Sequence, residues 1–173
     1  MLIRKETPAD YEIIRDLVKE AFKTAEFTDG EEHVFVDYRR RSGKYINDLS
    51  LVAEEKNKIV GYIMISETHV ECEGNNYLML YLFPLVVNKD FRKENIGSRL
   101  VKYSLNKAKD MKYKAVFLAG NENYYNRFGF VATCDHDIES NIKVDEEFKK
   151  NIMVYELYPN ALKGITGTVI YKD

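Results

Sequence analysis

Residues 83–97, FPLVVNKDFRKENIG, decide how the chain reads. They begin as an apolar strand, pass through a charged connection and end at Ile96-Gly97. There SRLVKYSLNKAKDM opens a helix over residues 97–111, with Leu100, Val101, Leu105 and Ala108 on one face. Strand, basic loop and helix start is a geometry that holds an anion, because the first helical N–H groups lack carbonyl partners and carry partial positive charge. Pro84 sits inside the strand. Proline cannot donate to a ladder, so it marks an edge, a bulge or a place where neighbouring strands part.

Upstream, residues 77–87 close an antiparallel meander with 49–53 and 59–70, joined by the polar turns EEKNK and CEGNN. Downstream, residues 115–119, AVFLA, are a core strand, so strand, helix and strand make a βαβ unit with its crossover right-handed. Leu2-Ile3-Arg4 reads as a first strand. Thr7-Pro8 is a helix start before YEIIRDLVKEAF, and EEHVFVDYRRR is a second helix ending near Ser42-Gly43. Gly129 is a natural left-handed stop, and residues 130–132 begin another strand. Residues 135–150 read as polar and irregular, and strand character returns at 152–157 and 167–171. The expected fold class is therefore α/β: a mixed, mostly antiparallel central sheet with a splayed strand pair and flanking helices, in one domain over residues 1–173.

Composition narrows the function. With 45% hydrophobic and 31% charged residues the chain is an ordinary soluble one, and its formal net charge of −2 gives no global pull toward nucleic acid or anionic membrane. Any anion site must be local. Cys72 and Cys134 show no paired spacing, so two unlinked thiols in a reducing compartment are expected; His33, His69 and His136 are scattered, so no metal is expected. The N-terminus lacks a signal-peptide run, and the longest apolar stretch is too short to span a bilayer. A cytoplasmic location follows as the expectation.

Arg92 to Gly97, RKENIG, can be a pyrophosphate cradle or a charged loop that merely caps a helix; with one glycine it is neither a P-loop nor a dinucleotide turn. Two features favour the cradle. A strand that parts from its neighbour at Pro84 exposes backbone groups to a peptide-like ligand arm. Tyr124-Tyr125-Asn126-Arg127-Phe128-Gly129-Phe130 follows the next parallel strand, at the end of the sheet where ligands lie in open α/β folds.

Together these residues resemble the GNAT superfamily of acetyl-CoA-dependent N-acetyltransferases, whose loop reads Gln/Arg-x-x-Gly-x-Gly/Ala. PLVV, the loop 92–97 and YYNRFGF look most like the YhbS-like branch, as does the ending ELYPNALKGITGTVIY. The resemblance implies acetyl-CoA as co-substrate and no metal. Leu85, Val86 and Val87 would meet the pantetheine arm and the acetyl carbonyl. Arg92, Lys93, Glu94, Asn95, Ile96, Gly97 and Ser98 would form the pyrophosphate loop, and Tyr125 would protonate or hydrogen-bond the departing thiolate. Asn95 stands where the family has glycine, and Glu94 adds a negative charge near the proposed phosphates.

The implied function is transfer of an acetyl group to a primary amine of a small molecule or protein by direct attack on the thioester. The alternative is a non-catalytic acyl-CoA binding module on the same fold. Glu67, Glu71, Glu73 and Tyr81, or a water relay, remain open as the base. The acidic residues Glu26, Asp29, Glu31 and Glu32 suit a cationic acceptor or simply a helix start, and Arg39-Arg40-Arg41 reads as a helix C-terminal cluster. Neither nucleic acid nor membrane is expected as a partner, and monomer and homodimer both remain open.

Overall fold

The structure is a computed structural model and describes residues 1–25 and 28–171; Glu26 of the acidic group lies outside the described residues. In chain order the elements are β1 (Leu2–Lys5), α1 (Tyr11–Phe22), α2 (Glu32–Arg41), β2 (Ser50–Glu55), β3 (Lys58–Cys72), β4 (Asn75–Val87), α3 (Ile96–Asp110), β5 (Ala115–Ala119), α4 (Glu122–Tyr125), β6 (Val131–Ala132), β7 (Ile138–Ser140), β8 (Ile152–Glu156) and β9 (Gly167–Ile170). This is the expected mixed α/β fold, with mostly antiparallel pairing and flanking helices. The chain divides into two compact units, Met1–Ser66 with Leu82–Ser104 and Glu67–Tyr81 with Leu105–Asp173.

In the first unit β1 runs antiparallel to β2, and β2 antiparallel to β3, with Val52 opposite Tyr62 and Ala53 opposite Gly61. Strand side chains alternate between faces, so Val52, Tyr62 and Met64 point one way and Ala53 and Gly61 the other. α1 and α2 cover the first face: Ile14, Val18 and Val36 are buried against Val52, Tyr62, Met64 and Val86. The first turn of α3 covers the second face. A Cβ built on Gly61 would lie 3.0 Å from Ile96 Cγ2 and 3.1 Å from Leu100 Cδ1.

Charged residues tie this unit together at the start of the chain. Glu6, only 4% exposed, accepts from Arg40 Nε at 3.1 Å and Nη2 at 2.7 Å and from the Tyr45 hydroxyl at 2.8 Å. A buried carboxylate with three donors has its desolvation offset, and burial together with that negative charge pushes the Tyr45 phenol up. Arg40 also lies over the Tyr11 ring at 3.9 Å. Asp10 accepts from Arg4 Nη1 at 2.8 Å and from the Thr7 amide at 2.7 Å. The Thr7 hydroxyl lies 2.9 Å from the same carboxylate, and Thr7 and Asp10 close a capping box at the expected helix start.

In the second unit Leu80 and Tyr81 of β4 run parallel to Val116 and Phe117 of β5, and β5 is antiparallel to β8 over five residue pairs. The strand–helix–strand expectation is met. β9 lies antiparallel to β3, with His69 opposite Ile170, and β7 lies parallel to β9. β7 corrects the irregular reading of residues 135–150. Its three residues pair with a strand nearly thirty positions on, so no local pattern announces it. Tyr171 is fully buried, packs edge-on against Tyr81 at 4.7 Å and donates its hydroxyl to the Leu118 carbonyl at 3.1 Å. Cys72 and Cys134 are unlinked. Among the described residues no helix is long and apolar enough to cross a membrane.

The Asp10–Arg4 pair gives an acid-stability signature. Hydrogen bonding from Arg4 holds the Asp10 carboxyl at about 2, below its usual 3.8. A lowered folded-state value stabilises above the unfolded value and loses that stability as pH falls toward 2. Asp10→Asn is expected to cost about 2 kcal/mol at pH 7, with the difference from wild type closing between about pH 4 and 2 in urea titrations.

Candidate functional site

Phe83 stacks against Phe22 of α1 at 5.7 Å and Phe35 of α2 at 5.3 Å, while Val86 is buried in the same α1/α2 layer. Two residues three apart cannot share a face in a regular strand, so the alternation breaks at Pro84-Leu85. This is the irregularity that the strand proline leads one to expect. The Phe83–Pro84 peptide is cis. Leu85 and Val87 are half-buried, and the β4 pairing with β5 covers Leu80 and Tyr81 alone.

The end of β4 is pinned. The Asn88 N–H donates to the Val60 carbonyl at 2.8 Å, at the place where a bulge shifts the β2–β3 register. The Asn88 side chain accepts from the Asp90 amide at 3.0 Å and caps the turn Lys89–Phe91. Arg92 is extended, and Lys93 and Asn95 are left-handed, at φ 83° and 58°. The glycine-replacing position therefore does take positive φ, which asparagine tolerates better than most residues. Lys93 is a second left-handed residue that sequence reading did not foresee.

α3 then begins, with the Arg99 N–H donating to the Asn95 carbonyl at 3.0 Å. The amides of Ile96 and Gly97 precede every intrahelical carbonyl, and the curled loop adds backbone N–H groups beside them. Arg92, Lys93, Glu94 and Asn95 are exposed, Ile96 and Gly97 buried, Ser98 half-buried. The helix end is thus anchored by its apolar side, while the loop before it faces solvent.

Tyr125 closes α4. Asn121 caps that turn: its side chain accepts from the Tyr124 amide at 3.1 Å and its carbonyl from the Tyr125 amide at 3.1 Å. The Tyr125 ring is half-buried and packs against Tyr124 at 4.9 Å, Phe130 at 5.6 Å and Phe128 at 6.4 Å. Burial, with smaller contributions from Tyr124 and Tyr81, pushes its phenol above the ordinary tyrosine value. It is a neutral O–H at neutral pH, which a proton donor needs to be.

The candidate bases separate. Glu67 accepts the Tyr113 hydroxyl at 2.7 Å, and burial plus that carboxylate push the phenol up to about 12. Tyr113 precedes β5, whereas Tyr125 follows it, and five residues of strand put the two ends about 13 Å apart. Glu67 therefore sits at the wrong end of β5 to work with Tyr125. Glu71 lies beside His69 and Glu73 in the hairpin turn, while Tyr81 is buried against Tyr171. The acidic residues ahead of α2 serve the turn that leads into it: Asp29 Oδ1 accepts the Glu31 amide at 3.0 Å, and Glu32 accepts the Asp29 amide at 3.3 Å and the Thr28 hydroxyl. Within the arginine run, Arg39 is buried and Arg40 is bound to Glu6, which leaves no three-residue basic patch.

Gly61 is a supporting residue that sequence reading missed. A glycine inside a strand pattern signals a close approach, and here the approaching group is α3. Among the described residues no group of three His, Cys, Asp or Glu side chains is placed to hold a metal.

The model of the acetyltransferase (GNAT) family matches residues 11–130. The chain belongs to the GNAT family. It is 29% identical, over its full length and 97% of the relative, to the uncharacterized N-acetyltransferase YhbS of Escherichia coli K12. The crystal structure of E. coli YhbS in complex with CoA superposes with a TM-score of 0.85 at 28% identity, covering 99% of this chain and 89% of that one. A GNAT acetyltransferase from Brucella melitensis in complex with acetyl-CoA gives 0.78 at 26% identity, covering 99% and 95%. This GNAT chain is an acetyltransferase.

Three substitutions at two positions check the loop's supports. Gly61→Ala forces Ile96 and Leu100 to give way and is expected to cost about 1–2 kcal/mol in urea unfolding. Asn95→Gly should stay within about 0.5 kcal/mol of wild type, while Asn95→Val, β-branched at positive φ, should lose about 1–2 kcal/mol.

Proposed function

We propose that residues 1–173 act as a single N-acetyltransferase domain that moves the acetyl group of acetyl-CoA to a primary amine. The observation that carries this reading is the α3 start: exposed left-handed backbone at Lys93 and Asn95 leads directly into the N-terminus of a fifteen-residue helix. That cradle fits a pyrophosphate. The amides from Lys93 to Ser98 would hold it, with Arg92 assisting, and Leu85, Val86 and Val87 would meet the pantetheine arm and the acetyl carbonyl. The CoA and acetyl-CoA complexes of the two structural relatives support acetyl-CoA as the co-substrate.

Acetyl-CoA supplies the thioester. The amine nitrogen attacks the carbonyl carbon, a backbone N–H near Val87 stabilises the developing oxyanion, and the C–S bond breaks. The amine's proton leaves to water, since Glu67 is held elsewhere. Tyr125 gives its proton to the departing sulfur and regains one from solvent. Holding both reactants in line supplies most of the remaining gain. The site needs no metal, and the chain works in the cytoplasm as a monomer or homodimer.

Calorimetry with acetyl-CoA tests the first half: micromolar to millimolar binding is expected, weakened by Arg92→Ala and strengthened by Glu94→Gln, which removes a charge opposed to the phosphates. Absence of binding at millimolar acetyl-CoA sinks the reading. Thiol release with a panel of spermidine, kanamycin, a lysyl peptide and phenethylamine tests the second half. Tyr125→Phe is expected to lower kcat by about a hundredfold or more with CoA affinity unchanged.

A further inference from the structure

Tyr125 needs a place for its ring, and the residue that provides it is Gly120. A Cβ built on Gly120 would lie 2.6 Å from Tyr125 Cε2, closer than real Cβ atoms come to any neighbour, and 3.1 Å from Cδ2, a tight contact. The third neighbour, Leu118 Cδ1 at 3.3 Å, closes the space from the other side. Gly120 has no left-handed φ, so backbone freedom does not explain the glycine. Space does.

The surrounding contacts hold the ring against Gly120. The Gly120 N–H donates to the Asn151 carbonyl at 2.9 Å, which fixes the strand end. Asn121 holds the Tyr125 amide at 3.1 Å, which fixes the tyrosine's backbone. Tyr124, Phe128 and Phe130 occupy other sides of the ring. A methyl group at position 120 must therefore displace the ring itself.

We propose that Gly120 is a positioning residue for transfer, acting solely through Tyr125: by presenting a bare Cα at the end of β5 it sets where the phenol hydroxyl stands. The inference rests on the proposed role of Tyr125, yet its steric part stands without it. The role is distinct from substrate binding, since Gly120 offers no side chain to any ligand.

Two readouts test it. The first needs no acceptor. In protein labelled with 3-fluorotyrosine, the Tyr125 resonance is assigned by its loss in Tyr125→Phe. Gly120→Ala is expected to shift that resonance and to move its titration toward that of an exposed tyrosine, with acetyl-CoA affinity by calorimetry unchanged within about twofold. A resonance that keeps both its position and its titration overturns the proposal.

The second readout is kcat for thiol release from acetyl-CoA with the amine panel. Gly120→Ala is expected to lose about a hundredfold in kcat, since a displacement near 1 Å costs that much, with KM for acetyl-CoA unmoved. Gly120→Ala/Tyr125→Phe should be no slower than Tyr125→Phe alone; losses that multiply would show that Gly120 acts through another group. If Gly120→Ala does not fold, Gly120→Ala/Tyr125→Ala supplies the steric test, because the methyl then has room. That double variant should melt as a folded protein, and its failure to do so overturns the steric basis. Wild-type binding of acetyl-CoA without turnover of any amine counts against the transfer reading, while the fluorine shift still decides the steric one.

Discussion

The approach of α3 to β3 is the constraint on which the loop depends. An α-helix laid on a sheet is normally held off by side chains from both. At Gly61 the strand contributes none, so Ile96 and Leu100 settle against the backbone with a clearance that a single methyl would consume. Ile96 and Leu100 are one turn apart, so two contacts on one helix face set both the height and the direction of the first turn. From the strand side, the Asn88 N–H on the Val60 carbonyl fixes where β4 stops, one residue from Gly61. The chain between Asn88 and Ile96 must then be covered in a few residues, and it is covered by a capped turn followed by left-handed backbone at Lys93 and Asn95. The curled loop is thus the consequence of two fixed ends. The residues inside it need only tolerate the path, which explains how asparagine serves where the family has glycine.

Much of this was legible from residues, for reasons that can be named. The apolar periodicity of α1 and α3 reports burial directly, and β5 is a run of buried residues bounded by turns, so their existence followed from pattern. Pro84 announced a break in alternation because proline removes a donor whatever surrounds it. The break is real, since Phe83 and Val86 pack on one layer. What could not be read depends on partners distant in sequence. β7 exists because β9 is there to pair with it. Gly61 and Gly120 look alike in the sequence, yet one accommodates a helix and the other a ring, and neither has a local signal that says so. Left-handed Lys93 carries no propensity for that conformation and takes it because the loop's ends are fixed.

Charge is organised locally. With a formal net charge of −2 the chain has no field to draw an anion from a distance, so attraction to the α3 start must come from the helix end and its neighbours. The same accounting disposes of the arginine run. Arg40 is committed to Glu6 at 2.7 Å, inside a network that also takes the Tyr45 hydroxyl, and Arg39 is buried. Two of the three arginines in the run thus serve packing in the fold, and Arg41 is exposed. Before α2, Asp29 and Glu32 behave likewise, with their carboxylates accepting amides of the turn that enters the helix. Of the acidic group, Asp29 and Glu32 have carboxylates already engaged by the local chain.

The phenol of Tyr125 illustrates how environment selects between two roles that one side chain can play. A tyrosine can act as a base only as phenolate, and burial among Tyr124, Phe128 and Phe130 disfavours the charged form. The shift lies in the direction that rules out a base and preserves a donor. A raised value makes the phenol a weaker acid, which opposes proton donation. A thiolate, however, is already a fair leaving group, so the donor need only share its proton as the C–S bond lengthens, and hydrogen-bond geometry counts for more than acidity. Geometry is what the local structure controls. Asn121 fixes the backbone, three aromatic rings fix the plane, and Gly120 leaves the remaining side open. The local structure thus fixes where the hydroxyl stands while burial makes it ionise less readily, a balance that suits the acid role proposed for Tyr125.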